Sequence, residues 1–106
     1  MIIRSFRGVV VTGGDAAFYA LVRARLLAFR RTFALIDSHV GRRTTPHGDE
    51  FLITTHWPSW DQLRAWANDD LSKPWGFEEL MPYLVSWEVE HFEELDIVDE
   101  AEPGPS

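Results

Sequence analysis

An α+β domain of ferredoxin-like β-α-β-β-α-β arrangement, two helices on a four-stranded antiparallel sheet, is what three observations predict for this chain. Hydrophobic residues switch between a period of two and a period near 3.6 in that order along the sequence. Turn formers (Gly13-Gly14, Pro46 to Gly48, Pro58) separate the stretches. The length of 106 residues fits one domain and leaves no room for two.

Residues 2–11 are rich in β-branched and aromatic side chains and stop at Gly13-Gly14, which predicts a first strand. Asp15 is the expected N-cap of a helix through Arg31, because Phe18, Leu21, Val22, Leu26 and Phe29 recur at helical spacing. Arg30 and Arg31 in its last turn suit the negative end of the helix dipole. A weaker strand pattern spans 34–43, followed by a turn over Thr44 to Gly48. Phe51 to Trp57 reads as a strand that Pro58 stops. Ser59, with Gln62 three residues on, has the form of a capping box opening a second helix whose buried side is Leu63, Trp66 and Ala67. A short helix is expected around Phe77 to Met81 in the mixed stretch 71–83. Val85, Trp87, Val89 and His91 alternate with Ser86, Glu88 and Glu90, the pattern of a half-buried strand over 85–95. The domain is therefore expected to span 1–95, and the acidic, Pro-containing 96–106 to be a disordered tail.

Two helices cover one face of such a sheet. Yet the first strand carries Ile2, Phe6 and Val10 on one face and Ile3, Val9 and Val11 on the other, and Leu52 opposes Phe51, Ile53 and Trp57 on the third. A second copy packing sheet to sheet is the economical cover for that face, so the expectation is a homodimer, a dimeric α/β barrel. The polar Ser86/Glu88/Glu90 face suits an edge strand.

Composition excludes several functions. The formal net charge is −7, but eight acids and no Lys or Arg lie from Glu88 onward, which leaves 1–87 at a net of +1. No basic stripe is present to displace phosphate counterions, so no nucleic-acid partner is expected. There is no cysteine, hence no disulfide, thiolate metal site or Cys nucleophile. Arg4 and Arg7 interrupt the N-terminal apolar run, which does not read as a signal peptide, and no stretch approaches 18 apolar residues. No membrane partner is expected, and the default compartment is the cytoplasm. No HxH or HxxxH spacing exists, so no metal site is expected.

The opening Ile3-Arg4-x-Phe6-Arg7-Gly8-Val9-Val10, the pair Arg42-Arg43, the stretch Glu50-Phe51-Leu52 through His56-Trp57-Pro58-Ser59 with Leu63 and Trp66, and the close Val89-Glu90-His91-Phe92-Glu93 together resemble the antibiotic biosynthesis monooxygenase family of dimeric α/β barrels. The resemblance covers roughly residues 1–95. It implies a monooxygenase that oxidises a small aromatic or polyketide-like substrate with molecular oxygen and no cofactor. Haem-degrading relatives use an Asn on the first strand, a Trp on the second helix and a His soon after. Here Trp66 matches, Arg7 stands at the first-strand position, and no His lies between Trp66 and His91, so haem is the disfavoured alternative. A non-catalytic dimer that binds a small ligand or haem is the competing class.

Oxidation without a cofactor needs a base, donors for a developing oxyanion and a dry aromatic pocket. His39 and His56, on strands, are the expected catalytic bases; each can face a pocket or hydrogen-bond within the barrel. His47 lies in a turn, and His91 stands among carboxylates that can simply bind it. Trp66, with Trp57 and Trp60, forms either an aromatic wall for a flat substrate or core. Trp75, in the irregular segment, is a candidate lid or plug, and Tyr19 either donates to an oxyanion or faces water. Arg7 is the odd residue of the first strand: it needs a carboxylate partner or a substrate anion.

Overall fold

The computed structural model describes residues 1–33, 37–67, 70–73 and 78–97. Its elements run β1 (Ile2–Val10), α1 (Asp15–Thr32), β2 (Asp37–Thr45), β3 (Gly48–Trp57), α2 (Trp60–Ala67), a 3₁₀ helix (Glu78–Tyr83) and β4 (Leu84–Glu93). The four strands form one antiparallel sheet in the order β2-β3-β1-β4. This is the ferredoxin-like arrangement, and β4 is an edge strand.

Strand alternation assigns the layers. Ile2, Arg4, Phe6, Gly8 and Val10 of β1 are buried beneath the helices, as are Phe51, Ile53, Thr55 and Trp57 of β3. Helix α1 returns Phe18, Val22, Leu26 and Phe29, and α2 returns Leu63, Trp66 and Ala67. Aromatic rings form much of the join: Phe18 lies 4.9 Å from Phe51, and Trp66 lies 5.1 Å from Trp57 and 5.3 Å from Phe29. Offset and edge contacts of this kind add to what burial alone contributes. The buried Trp57 indole N–H is satisfied by Thr55 Oγ1 at 2.9 Å. Gly8 permits the close approach of β4, since a Cβ there would meet Leu84 Cδ2 at 2.6 Å.

Several boundaries differ from the sequence expectation. The α1 N-cap is Gly14, with no side-chain cap bond, and Asp15 is the first helical residue. The Asp15 carboxyl instead engages Asp49 and stands near Arg42. Strand β2 begins at Asp37 and runs on to Thr45, and residues 34–36 lie outside the described set. The ladder persists to the pair Thr45–Gly48 because Gly48, at a φ of 125°, lets the Pro46-His47 loop close within two residues. Ser59 does cap α2, its Oγ accepting from the Gln62 N–H at 3.3 Å. The short helix near 77–81 is the 3₁₀ helix, tied to α1 by Arg25 and Glu79, while Phe77 lies outside the described residues. In β4 the register shifts between Val9 and Val10, whose partners are Ser86 and Leu84. Val85 is the extra residue, which turns it out to 65% exposure in place of the inward position that strict alternation predicts.

The second sheet face carries no helix among the described residues. Register sets it out in four rows from β2 through β3 and β1 to β4: Asp37–His56–Ile3–Phe92, His39–Thr54–Ser5–Glu90, Gly41–Leu52–Arg7–Glu88 and Arg43–Glu50–Val9–Ser86. The continuous apolar patch expected there is instead a mixed surface. Ile3, Val9, Leu52 and Phe92 are interspersed with charged and hydroxyl side chains. Among the described residues no helix is long and apolar enough to cross a membrane.

Candidate functional site

The sheet divides the sequence-derived candidates between its two sides. Arg7, His39 and His56 stand on the open face, whereas Trp66 is buried on the helix side and Tyr19 projects from α1 at 47% exposure. Trp75 lies outside the described residues. Trp66 therefore shares no pocket wall with either histidine: the thickness of the sheet lies between them.

On the open face, a hollow of about 540 Å3 is floored by the small Ser5 and Gly41 together with Leu52, and walled by Arg7, Glu90 and Phe92. Arg43 and Glu50 close its far end, with Arg43 Nε 2.7 Å from Glu50 Oε1. Arg7 has the carboxylate partners its position called for, since Nη2 donates to Glu88 at 2.8 Å and to Glu90 at 2.7 Å. The histidines do not line the hollow but share its rows, His39 that of Ser5 and Glu90 and His56 that of Phe92. The His39 and His56 rings lie 6.0 Å apart in an edge arrangement, and His39 Nε2 is 3.1 Å from Asp37 Oδ2. The Ser38 N–H, bonded to Asp37 Oδ1 at 2.8 Å, is the main reason the Asp37 carboxyl is held below the usual carboxylate range, with His39 and His56 adding to it. A carboxylate on one imidazole nitrogen fixes the ring and leaves the other nitrogen to take a proton. Among the described residues no cluster of three His, Asp or Glu could hold a metal ion.

The helix side contains a constellation that the sequence reading passed over. Arg4 is 2% exposed, the largest charged side chain of the interior. Its Nη1 donates to the Leu71 carbonyl at 3.1 Å and to His91 Nε2 at 2.8 Å, and its Nη2 donates to the Lys73 carbonyl at 2.5 Å. The guanidinium lies 5.1 Å over the Trp66 ring, and Nε is buried without a hydrogen-bond partner among the described residues. Burial lowers the Arg4 pKa to about 10. Burial, then the Arg4 charge, lowers that of His91 to about 4, so His91 is a neutral acceptor at physiological pH. The signal for Arg4 was parity: it shares the even-numbered side of β1 with Ile2, Phe6 and Val10, while Arg7 falls on the odd side.

The architecture is the one found in antibiotic biosynthesis monooxygenases and in a haem degrader. No protein-family model matches the chain, and no curated protein matches it in sequence. Among solved structures, a proposed antibiotic biosynthesis monooxygenase from Deinococcus radiodurans has a TM-score of 0.71 at 17% identity, over 93% of this chain and 97% of its own. A point variant of SnoaB, a cofactor-independent oxygenase from Streptomyces nogalater, has a TM-score of 0.70 at 17% identity over the same shares. The heme-degrader MhuD from Mycobacterium tuberculosis, with two hemes bound in its active site, reaches 0.65 at 18% identity over 93% of this chain and 100% of its own. At such identities the likeness shows the fold, which is the fold that the sequence resemblance implies.

The described residues do not fit haem above Trp66. That indole is only 8% exposed between Trp57, Phe29 and the Arg4 guanidinium. The neighbouring His91 has its Nε2 engaged, accepting from Arg4. Arg7, at the position matched to the haem-degraders' Asn, points to the opposite face.

Proposed function

We propose that the chain is a cofactor-independent oxygenase of a small aromatic or polyketide-like substrate, working as a homodimer, with its chemistry on the open sheet face. One observation carries this reading: Arg7, His39 and His56 share that face with a hollow of about 540 Å3, and Asp37 orients His39. Leu52 and Phe92 offer a flat apolar substrate its contacts, and Arg7 offers a developing oxyanion its countercharge. A second copy, laid sheet to sheet, supplies the exclusion of water that the hollow lacks alone. The mixture of Arg7 and Arg43 with Glu50, Glu88 and Glu90 suits self-complementary packing about a two-fold axis.

The reaction that fits is oxidation of an activated methylene beside a phenol or ketone. The imidazole of His39 or His56 takes the acidic proton, and the electron-rich carbanion passes one electron to oxygen. The radical pair joins as a peroxide on that carbon, and the imidazolium returns its proton to the outer oxygen. Loss of the second methylene hydrogen as the O–O bond breaks leaves a carbonyl and one water. Both electrons beyond the C–O bond come from substrate, so no cofactor enters the balance.

Oxygen uptake with anthrone or quinol substrates tests the chemistry. Replacing the base lowers kcat by about 10²- to 10⁴-fold, so His39→Ala or His56→Ala should produce such a loss. Unchanged uptake in both variants removes the base assignment. Light scattering at micromolar concentration should give about 24 kDa, twice the 12.2 kDa chain; a stable species at the chain mass removes the dimer. A competing reading, ligand binding without chemistry on the Trp66 side, draws on Arg4 Nε, which has no hydrogen-bond partner among the described residues. A sharp Soret band at one hemin per chain would overturn the misfit of haem above Trp66 and favour this reading.

A further inference from the structure

We propose that the groove between α1 and β2 binds a small amphipathic organic acid, its carboxylate on Arg23 and its apolar body against Tyr19, Val40 and Phe51. Two adjoining hollows of about 400 and 420 Å3 make up this groove, and they share Tyr19 and Val40. Its helical wall is the stripe Ala16, Tyr19, Arg23, Leu27 and Arg30, spaced by three and four residues along about 21 Å of α1. Val40, together with Phe51 behind it, forms the sheet wall. Room of this size takes a ligand of two or three fused rings.

Charge selects an acid. The chain as a whole is at −7, yet Arg23, Arg30 and Arg42 line this groove and the only carboxyl among its lining residues is Asp15. The three cations differ in what they already hold. Arg30 is committed to Ser38, donating to Oγ at 2.8 Å and reaching the carbonyl at 3.5 Å, which pins α1 to β2 at one end. Arg42 stands 3.9 Å from Asp15 at the other end. A hydrogen bond with Asp49 raises the pKa of Asp15 and so weakens it as a competing anion. Arg23, midway, has no hydrogen bond or ion pair with any described residue. A guanidinium left free above an apolar trough is the arrangement that captures a carboxylate while an aromatic body covers the trough. The site is distinct from the open face, because the His39 imidazole at its rim stands on the other side of the strand beside His56.

The test is a fluorescence titration of the full chain with 9-anthracenecarboxylate and with the neutral 9-anthracenemethanol. The carboxylate should bind about tenfold more tightly, a charge-assisted contact being the difference, and the preference should shrink as salt rises. Arg23→Gln should abolish the preference, and Arg31→Gln, an exposed control on the same helix, should leave it intact. Equal affinity for the two probes, or a preference that survives Arg23→Gln, overturns the proposal. A preference lost in Arg7→Gln instead would move the acid to the open face and overturn it equally. Oxygen uptake plays no part in this readout, so the outcome is independent of the oxygenase reading.

Discussion

The two faces of the sheet are built from the same strands and do opposite things. On the helix side, β1 presents Ile2, Phe6 and Val10 to α1 and α2, and the one charge among them, Arg4, spends its Nη donors on two carbonyls and an imidazole. On the open side the next residues along, Ile3, Ser5, Arg7 and Val9, meet no helix, and their charges are paired across neighbouring strands at the surface. Removal of apolar area from water is the dominant favourable term in folding, so the helix side carries stability. The open side keeps its hollow and its histidines because little of the fold depends on them. Period-two alternation is what lets adjacent residues serve separate ends.

Adjacent residues of β3 give the sharpest way to break that comparison. Ile53 is 1% exposed and Leu52 40% exposed. Ile53→Ala should cost about 3–4 kcal/mol in urea unfolding, the lost transfer energy plus the cavity left behind. Leu52→Ala should cost under about 1 kcal/mol of protomer stability, while raising the dissociation constant of the proposed dimer. Equal costs for the two would mean that both faces contribute alike to the fold.

The next largest effect concerns Arg4. Arg4→Met fills much of the same volume and keeps the contact with Trp66, but it strips donors from the Leu71 and Lys73 carbonyls and from His91. A loss of about 2–3 kcal/mol is expected for leaving part-buried acceptors unpaired. Because Trp66 lies under the guanidinium, its fluorescence should change as well. A cost inside the ±0.5 kcal/mol typical of surface changes would show that the segment from Asp70 to Lys73 is held by something else.

How far the sequence reveals each face follows from the same contrast. Element order, the helix α2 with its Ser59 cap, and the core sides of α1 and β3 are written in local periodicity and could be read directly. The extent of β2 could not, because Pro46 and Gly48 mark a turn without saying how far the ladder runs toward it. The bulge at Val85 is invisible to alternation, since it depends on the register with β1. Arg4 was legible by parity alone, but Arg7 drew attention through its apolar neighbours. The candidate site is the least legible part. Whether Trp66 and His39 share a side depends on which face of each strand the helices cover, a property of the assembled sheet and not of any one segment.

His91 belongs to the helix side by packing yet can be reached by pH. In the fold its pKa is about 4, against the ordinary 6.5 of an exposed histidine. Between those values the unfolded chain takes up a proton that the folded chain refuses, so stability falls as pH drops from 6.5 toward 4 and recovers as it rises. Partial solvent exposure screens the effect, which leaves about 1 kcal/mol of the full shift. His91→Gln keeps an acceptor for Arg4 Nη1 and does not titrate, so its acid limb should be flatter over that window. An unchanged limb would trace the loss to carboxylates instead.

The smallest effect on stability should come from the residue that looked strangest in the sequence. Arg7 makes two short charge-assisted bonds, to Glu88 and Glu90, but the side chains are 37%, 67% and 45% exposed. Exposed pairs contribute about 0.2–1 kcal/mol and less as salt rises. Arg7→Gln should therefore unfold within about 0.5 kcal/mol of the parent, with the difference vanishing at high salt. Its functional effect should run the other way. Removing the countercharge beside the hollow leaves Glu88 and Glu90 unneutralised where a second sheet and an anionic intermediate would approach. The proposed dimer should then loosen, and oxygen uptake fall if the proposed oxygenase reading holds, even though the fold hardly notices. Were Arg7→Gln to cost as much stability as Arg4→Met, the open face would be part of the structural core, and the division of labour between odd and even residues of β1 would fail at the strand where it is most clearly drawn.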